Sequence, residues 1–380
     1  MADDNATLGA AVADEPRKVT LSHVNTPPAE TWNYLRANDI TLTVPALSRK
    51  GDVYFALPQL FGRVECGMGA KVTEWVTSQA ADATYVEVPR NTVRTEPVVV
   101  DVDADAGQVA DTGVMIREGA EATVVVVAHG SGSEAATSAA LTRIVCEKRA
   151  KLHLFEVLAL PDAETHLESV GIVADDDATI EVRQYLLGGA TQAVGLTADL
   201  AGDRARIRLQ TRYLGRGTGV LDINHVVRQR GENSRAHVDE SGVLADAAHK
   251  SLRATIDLVH GAKGAKGDEA ETVLVTGDDV VNKTMPVILC DEDDVQGNHG
   301  ATIGSIGGEQ LQYLRDRGLS EEEANDLFVR ALFDDAVISS PTASARRAVL
   351  DRAAAVLGQE VALDLAEGLE LECSDTREEA

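Results

Sequence analysis

A short pattern of alternating apolar residues recurs along the middle of the chain, and this repeat limits the possible folds more than any other feature. Each copy begins with a small residue, which is followed by apolar residues at the second and fourth positions. The small residues are Ala122, Ala150, Ala178, Ala205 and Ser234, spaced 28, 28, 27 and 29 apart. A second alternating segment keeps nearly the same step, marked by Ile144, Ile172, Leu200 and Val227. Alternation of this kind predicts two β-strands in each repeat.

A pair of short strands cannot enclose a core, so such repeats are stable only when they stack. Stacking pairs each strand in parallel with its counterpart in the next repeat and buries the inward side chains in a continuous column. The repeats contain no long amphipathic helix of the kind that an α/β crossover requires. We therefore predict a mainly β fold, a parallel β-helix (β-solenoid) over residues 87–303, with His153, Arg183 and Arg208 facing outward. A β-sandwich with coincidental spacing is the alternative.

The flanking regions have a different composition. Residues 1–16 are small, polar and acidic, which predicts a disordered tail, and the rest of 1–86 predicts a small α+β cap with a helix over Ala29–Asn38. Residues 304–380 predict a helical C-terminal domain. One helix starts at Gly308 and stops at Gly318, a second follows a capping box formed by Ser320 and Glu323, and a third spans about Thr342–Leu357.

Charge and cysteine content narrow the functional classes. The net charge is -27, and the 35 basic residues comprise 9 lysines and 26 arginines. This surface repels nucleic acid and anionic membranes, and it is typical of a halophilic protein in a salt-rich cytoplasm. The four cysteines, at positions 66, 146, 290 and 373, include no CxxC pair, so they predict neither a disulfide framework nor a metal-ligand set. We expect a cytoplasmic protein, since the acidic N-terminus lacks the features of a signal peptide.

Two glycine-rich segments resemble nucleotide-binding loops without completing a motif. The segment GAKGAKG, Gly261–Gly267, does not match GxxxxGK[ST], and GRGTG, Gly215–Gly219, does not match GxGxxG. We predict that both are turns.

The segment QGNHGATIGS, Gln296–Ser305, marks the change from strands to helices. Gly297 and Gly300 bracket Asn298 and His299, and glycines tolerate backbone conformations that other residues avoid. We predict a turn here, with Thr302 and Gly304 continuing the motif, that presents the His299 imidazole at the end of the strand region.

From this segment to Val329 the chain resembles the SufB/SufD family of iron–sulfur cluster assembly proteins, and its SufD branch in particular. The pattern of that branch, roughly SHGATxGxLxxExLFYLxSRGIxxxEA, is matched over some thirty residues by His299, Gly300, Ala301, Thr302, Gly304, Glu309, Leu311, Tyr313, Leu314, Arg317, Gly318, Glu323 and Ala324. A weaker resemblance extends back to about Glu87. The resemblance implies a right-handed parallel β-helix with a C-terminal helical domain.

The resemblance also implies partners and a site. SufB and SufD pair through the ends of their β-helices, and their C-terminal helices each hold a SufC ATPase. For the SufC contact the candidates are Tyr313, Leu314, Leu327 and Phe328. A nascent cluster forms between a SufB cysteine and the histidine of the motif, so His299 is the candidate for transient cluster or metal contact. Many SufD sequences have a cysteine two places before this histidine, where this chain has Gly297, and Cys290 is not an assured substitute.

Our first functional hypothesis is therefore a non-catalytic scaffold subunit of a SufBCD complex, which holds no cofactor stably by itself because one histidine cannot hold a cluster. A homodimer that combines the SufB and SufD roles, with SufC, is an alternative. A third hypothesis from another class is a β-helix enzyme acting on polysaccharides. Its acids and bases would come from the run Asp291, Glu292, Asp293 and Asp294 or from Asp278 and Asp279.

Overall fold

The computed structural model describes residues 18–46, 55–80, 82–132, 135–305 and 307–378. The tail predicted for residues 1–16 lies outside the described residues. The described strands are β1 (Lys18–Val24), β2 (Ile40–Pro45), β3 (Ala83–Val88), β4 (Val98–Asp103), β5 (Val109–Ile116), β6 (Glu121–His129), β7 (Thr137–Cys146), β8 (Lys151–Ala159), β9 (Thr165–Ala174), β10 (Thr179–Leu186), β11 (Thr191–Leu200), β12 (Arg206–Gly215), β13 (Val220–Gln229), β14 (Arg235–Leu244), β15 (His249–Leu258), β16 (Lys266–Val275), β17 (Val281–Cys290) and β18 (Gln296–Gly304). The α-helices are α1 (Ala70–Gln79), α2 (Gly308–Arg315), α3 (Glu321–Ser339), α4 (Ala343–Leu357) and α5 (Gln359–Glu378).

Strands β3 to β18 form a parallel β-solenoid. The even-numbered strands from β4 to β18 make one eight-stranded sheet, here called the even sheet, and the odd-numbered strands from β3 to β17 make the odd sheet. Successive pairs such as β10–β12 and β11–β13 are parallel throughout both sheets. The predicted solenoid is confirmed and the β-sandwich is wrong, since sandwich sheets are antiparallel. The hand of the coil stays a prediction.

The register of the repeats differs from the predicted one at two places. Ala122 pairs with Leu152, so the small residue that matches Ala150 in the first copy is Ala120. Ile172 pairs with Ala198, two residues before Leu200. In both places the predicted partner lies two residues from the observed one, because the turns differ in length from repeat to repeat. A shift of two keeps a side chain on the same face of a strand, so the inward positions were predicted correctly.

Two residues before each even strand from β6 to β16 begins, the chain has a residue in the left-handed conformation. These residues are Gly119, Arg149, Asp177, Arg204, Asn233 and Gly264, with φ between 58° and 70°. The backbone N–H of each donates a hydrogen bond to a carbonyl in the turn of the next repeat, for example from Arg149 to Asp176 at 2.8 Å. The buried small residue of the repeat comes directly after this left-handed residue. A larger side chain there would collide with the turn of the neighbouring repeat.

The interior of the solenoid is mainly apolar but contains a buried polar column. Five residues hold the same inward position on successive strands of the even sheet: Glu156, Gln184, Thr211, Glu240 and Glu271. All five are buried. Burial of polar groups requires hydrogen-bond partners, and Gln184 supplies two by bonding both Glu156 and Thr211.

The N-terminal cap lies on the outer face of the odd sheet. Its antiparallel strands β1 and β2 and helix α1 pack on that sheet through an apolar cluster that includes Leu42, Trp75 and Leu141. The helix predicted over Ala29–Asn38 is wrong, because only a 3-10 turn at Asn33–Leu35 forms there. Helix α1 was not predicted, since its N-cap residue Gly69 has no capping side chain.

The C-terminal helices cover the outer face of the even sheet. Phe333 and Val337 on α3 and Val349 on α4 are buried with sheet residues such as Val157 and Leu214. The predicted capping box is present, since Ser320 Oγ accepts from the N–H of Glu323 and the Glu323 carboxylate accepts from the N–H of Ser320. Helix α5 was not predicted. Among the described residues, no helix combines the length and apolar content needed to cross a bilayer.

Candidate functional site

The last strand of the solenoid is left open. All nine residues of β18 are exposed, and no further strand pairs with its outer edge among the described residues. By contrast β4, the strand at the other edge of the same sheet, buries Val98, Val100 and Val102. The turn predicted for Gly297, Asn298, Gly300, Thr302 and Gly304 is therefore wrong, since these residues lie within β18. The sequence of β18 is polar and glycine-rich, which is typical of a turn. It can be so because the inward face of this strand does not cover a complete apolar core.

His299 lies on the face of β18 that continues the solenoid interior. A Cβ atom at Gly297 would lie 3.0 Å from Ile288 Cγ2 and 3.3 Å from Leu258 Cδ1, so position 297 points inward. Alternation then places His299 on the same face, whereas Asn298 faces outward and donates to Asp268 Oδ1 at 2.7 Å. Within the described part of the chain His299 has no hydrogen-bond or ion-pair partner.

Buried charged residues lie directly below this face. Glu269 is the register neighbour of His299 on β16, and it is only 4% exposed. Glu271, two residues on, accepts hydrogen bonds from Tyr213 at 2.7 Å and from Thr284 at 2.6 Å, and it is paired with Lys250. No sequence motif marks these groups. The signal was available, since Glu269 and Glu271 occupy inward positions of the repeat.

Burial shifts the pKa values of Glu269 and of two residues beside it, Glu240 and His225. Burial, then the neighbouring carboxylates, raise the pKa of both Glu240 and Glu269 to about 8. Among the described residues no group donates to either Glu269 oxygen, so the contact of Glu269 with Glu240 becomes a hydrogen bond only when one carboxyl holds a proton. Burial lowers the pKa of His225 to about 3, and its Nδ1 lies 2.7 Å from Glu240 Oε1. At neutral pH the contact between Glu240 and Glu269 therefore holds a proton, and the His225 imidazole is neutral.

The described residues hold no group of three or more histidine, cysteine, aspartate or glutamate side chains arranged to bind a metal ion. Cys290 ends β17 and is exposed, and its thiol donates to the carbonyl of Glu292 at 3.3 Å. Iron–sulfur clusters are held in proteins by thiolates, so the described residues near His299 are not a complete ligand set for one. His299 can contribute one borderline nitrogen ligand.

The acidic run proposed for a polysaccharide enzyme forms the loop before β18. Glu292 accepts hydrogen bonds from the backbone N–H groups of Gly261 and Asp293 at 2.9 and 3.1 Å. The bond from Gly261 is the main reason that its pKa is lowered. A general acid requires the opposite shift, so Glu292 does not suit that role. Asp278 and Asp279 are exposed in the turn before β17.

The helical residues predicted to contact a partner lie at the surface to different degrees. Leu327 and Phe328 on α3 are each 43% exposed, and Tyr313 on α2 is more exposed, with the Arg317 guanidinium 3.5 Å from its ring centre. Leu314 is half-buried. The opposite side of α3, including Phe333, packs on the even sheet. Helix α3 therefore joins a buried apolar face and an exposed apolar face.

Comparison with known proteins decides the family. The family model described as SUF system FeS cluster assembly, SufBD core domain, matches residues 98–332, more than half of the chain. The chain belongs to the SufBD family. This SufBD match spans most of the solenoid together with β18, α2 and part of α3.

Relatives of this SufBD chain include the iron–sulfur cluster assembly protein SufD of Escherichia coli, 24% identical over 67% of this chain and 62% of that protein. SufD of Bacillus subtilis is 28% identical over 43% of this chain and 38% of that protein. A SufBD family protein of Mycobacterium leprae is 26% identical over 71% of this chain and 72% of its own length. The alignments thus cover less than two thirds of either SufD protein.

Proposed function

We propose that this chain is a SufD-like, non-catalytic scaffold subunit for iron–sulfur cluster assembly. In this proposal it pairs with a SufB-type subunit through the open end of the solenoid and binds a SufC-type ATPase through its C-terminal helices. The observation that carries the proposal is the exposed strand β18, whose inward face presents His299. Membership of the SufBD family supports the same role.

The open edge favours a partner that continues the sheets. An edge strand offers unpaired N–H and C=O groups, and proteins normally cover, charge or shorten such edges. Here β18 is nine residues long, and its nine side chains contain no charged lysine, arginine, aspartate or glutamate. Main-chain hydrogen bonds from a second strand would satisfy these groups, as in β-strand addition.

In the assembled complex His299 would contact the nascent cluster, which is the cargo of the complex. A neutral imidazole is a suitable borderline ligand for iron, and His299 is exposed on the edge strand against which the partner would stack. Thiolates would come from the partner. The Gly297 backbone is packed against Ile288, so a side chain at that position would have to displace core atoms.

The exposed apolar face of α3 would bind the ATPase subunit. Leu327 and Phe328 remain on the surface although the rest of the helix is anchored to the even sheet. Apolar residues held on a rigid element make a suitable protein contact, because little conformational freedom is lost on binding.

Co-purification from the native host in high salt tests the proposal, with mass spectrometry of the proteins that remain bound. High salt matches the salt-rich cytoplasm that we propose for a chain of net charge -27. Recovery of a SufC-type ATPase and a SufB-type subunit is the expected result. Recovery of the ATPase with this chain alone would favour the homodimer, and recovery of neither would contradict the scaffold function.

A further inference from the structure

Two exposed aromatic side chains stand beside the open end of the solenoid. Trp32 and Tyr34 are 74% and 72% exposed, and their ring centres lie 5.7 Å apart. Leu35, next to them, is 42% exposed. The chain has only 2 tryptophans and 6 tyrosines, and the other tryptophan, Trp75, is buried. Exposing a rare aromatic pair to water has no stabilising effect on the isolated chain.

The position of this pair is fixed by contacts with the last strands of the odd sheet. Asn25 donates to the carbonyls of Val194 on β11 and Asp222 on β13. Further along, Arg253 on β15 donates to the carbonyl of Ala37 at 2.6 Å, and Lys283 on β17 donates to that of Arg36 at 3.1 Å. The loop therefore follows the odd sheet from β11 to β17, towards the open end of the solenoid. Its aromatic turn directly precedes Arg36, the residue that contacts β17, the last strand of that sheet.

The loop is also held in one conformation. Thr31 donates from its N–H and its hydroxyl to Asn38 Oδ1, at 2.6 and 2.8 Å, and Asn38 Nδ2 donates back to the Thr31 carbonyl at 2.9 Å. These bonds close the loop around the aromatic turn. A rigid loop loses little conformational entropy on binding, and tryptophan and tyrosine are the side chains most enriched among residues that dominate interface affinity.

We propose that Trp32 and Tyr34 anchor the SufB-type subunit that docks on the open end. The proposal rests on the proposed function, because it takes the occupant to be the chain that pairs with β18. Residues 30–38 precede the SufBD core match, which begins at residue 98, so this contact lies outside the matched core domain. The partner would then be held at two places, by main-chain hydrogen bonds at the edge of the even sheet and by the aromatic contact beside the odd sheet.

The test compares the complex of full-length chain and SufB-type subunit, purified in high salt, across single variants. Trp32→Ala and Tyr34→Ala each remove an exposed ring. The matched control is Phe55→Ala, since Phe55 is 73% exposed but its backbone bonds Ala83 on β3, at the other end of the solenoid. Dissociation constants are measured by dilution in mass photometry, and circular dichroism checks that each variant folds.

We expect Trp32→Ala to weaken the complex by about tenfold or more and Phe55→Ala to leave the affinity within about twofold, as for a central contact against a remote one. In the wild type, the fluorescence of Trp32 should also shift to shorter wavelength when the complex forms, and Trp32→Phe should abolish that shift. Equal affinities for the Trp32, Tyr34 and Phe55 variants would overturn the anchor while leaving the scaffold function intact. A wild-type chain that pairs only with itself would overturn the choice of occupant, and failure to bind any partner would overturn the scaffold function itself.

Discussion

His299 on β18 lies directly opposite Glu269 on β16, so an exposed imidazole stands over a buried carboxyl at the end of the solenoid. Neighbouring strands are about 4.8 Å apart, which brings the two side chains within reach of a common ligand or water. Neither oxygen of Glu269 accepts a hydrogen bond from the part of the chain that the structure describes. The two residues connect the interior of the solenoid to the surface on which a partner is proposed to dock.

We expect His299→Ala to leave folding intact and to impair cluster formation. His299 is exposed and has no side-chain partner among the described residues, so the free energy of unfolding should change by less than about 0.5 kcal/mol. Loss of a ligand should lower the yield of cluster on the assembled complex by on the order of tenfold, the scale of effect seen around metal sites. Chemical denaturation and the absorbance of the reconstituted complex measure the two quantities.

Asn298→Ala is the control for this experiment. Asn298 is the adjacent exposed residue, but it faces outward and bonds only Asp268. A cluster yield that falls equally in both variants would mean that any change in β18 disturbs the interface. An unchanged yield in His299→Ala would remove the proposed role of the imidazole.

The double variant Leu327→Asp with Phe328→Asp should release the SufC-type ATPase. Both side chains are partly exposed, so the two charges can remain solvated in the free chain but not in an apolar interface. We expect loss of the ATPase from pull-downs and a fall of at most about 1 kcal/mol in the free energy of unfolding.

Phe333→Ala shows how much unfolding free energy is lost when the packing of α3 itself is damaged. Phe333 is fully buried on the same helix, and its truncation should cost about 3–5 kcal/mol. If the Leu327 and Phe328 variant destabilised the protein to that extent, its exposed face would belong to the core and the docking surface would have to lie elsewhere.

The repeat made the solenoid predictable. Apolar residues occupy every second, inward position of each strand, and this pattern can be recognised even when the register is wrong by two residues. Leu200 was matched two residues away from its true neighbour and still faces inward. The last strand was not predictable in this way. Its inward residues Gly297, His299 and Ala301 have no apolar pattern, since no further repeat within the described ranges covers them.

Long-range contacts explain what else was missed at the site. The link between Glu271 and Tyr213 joins residues 58 apart, and that between Arg253 and Ala37 joins residues 216 apart. Local sequence patterns contain no information on such pairs. The cap loop was predicted as a helix from its prolines, whereas its conformation is set by hydrogen bonds of Asn38 and by the solenoid surface.

The buried carboxyls in the middle of the solenoid should make stability depend on pH. Burial raises the pKa of Glu156 and Glu168 well above the ordinary value of 4.5, and the Glu168 charge raises that of Glu156 further. The folded chain therefore holds protons that the unfolded chain releases. This contribution is fully present below pH 4.5 and is lost as pH rises through the raised pKa.

Glu156→Gln should flatten this dependence, because an amide keeps an acceptor for Gln184 and does not ionise. Its free energy of unfolding should fall less steeply with rising pH than that of the wild type, by up to about 1.4 kcal/mol per pH unit. Denaturant titrations at several pH values and constant high salt measure the slopes. If the unfolding free energy of Glu156→Gln fell with pH as steeply as that of the wild type, the raised pKa of Glu156 would be contradicted.

Arg253 is expected to be the residue on which attachment of the cap to the terminal strands depends most. It is fully buried, its two terminal nitrogens donate to the two Asp222 oxygens at 2.8 Å each, and Asn25 donates to the same carboxylate at 2.7 Å. Arg253→Met leaves Asp222 buried without its cation, which should cost about 3–5 kcal/mol of unfolding free energy. Adding Asp222→Leu should recover part of the loss, because the unpaired charge is then removed.

Hydrogen exchange locates the effect of this variant. The amides of residues 26–38 should exchange faster in Arg253→Met, since the bond from Arg253 to Ala37 is lost, while those of β8 and β10 keep their protection. Arg228→Met is the matched control, because Arg228 pairs with the partly exposed Glu65 and with Asp257 nearer the surface and should cost only about 1 kcal/mol. Equal losses in the two arginine variants would show that the cap is held by its apolar contacts rather than by the buried ion pair.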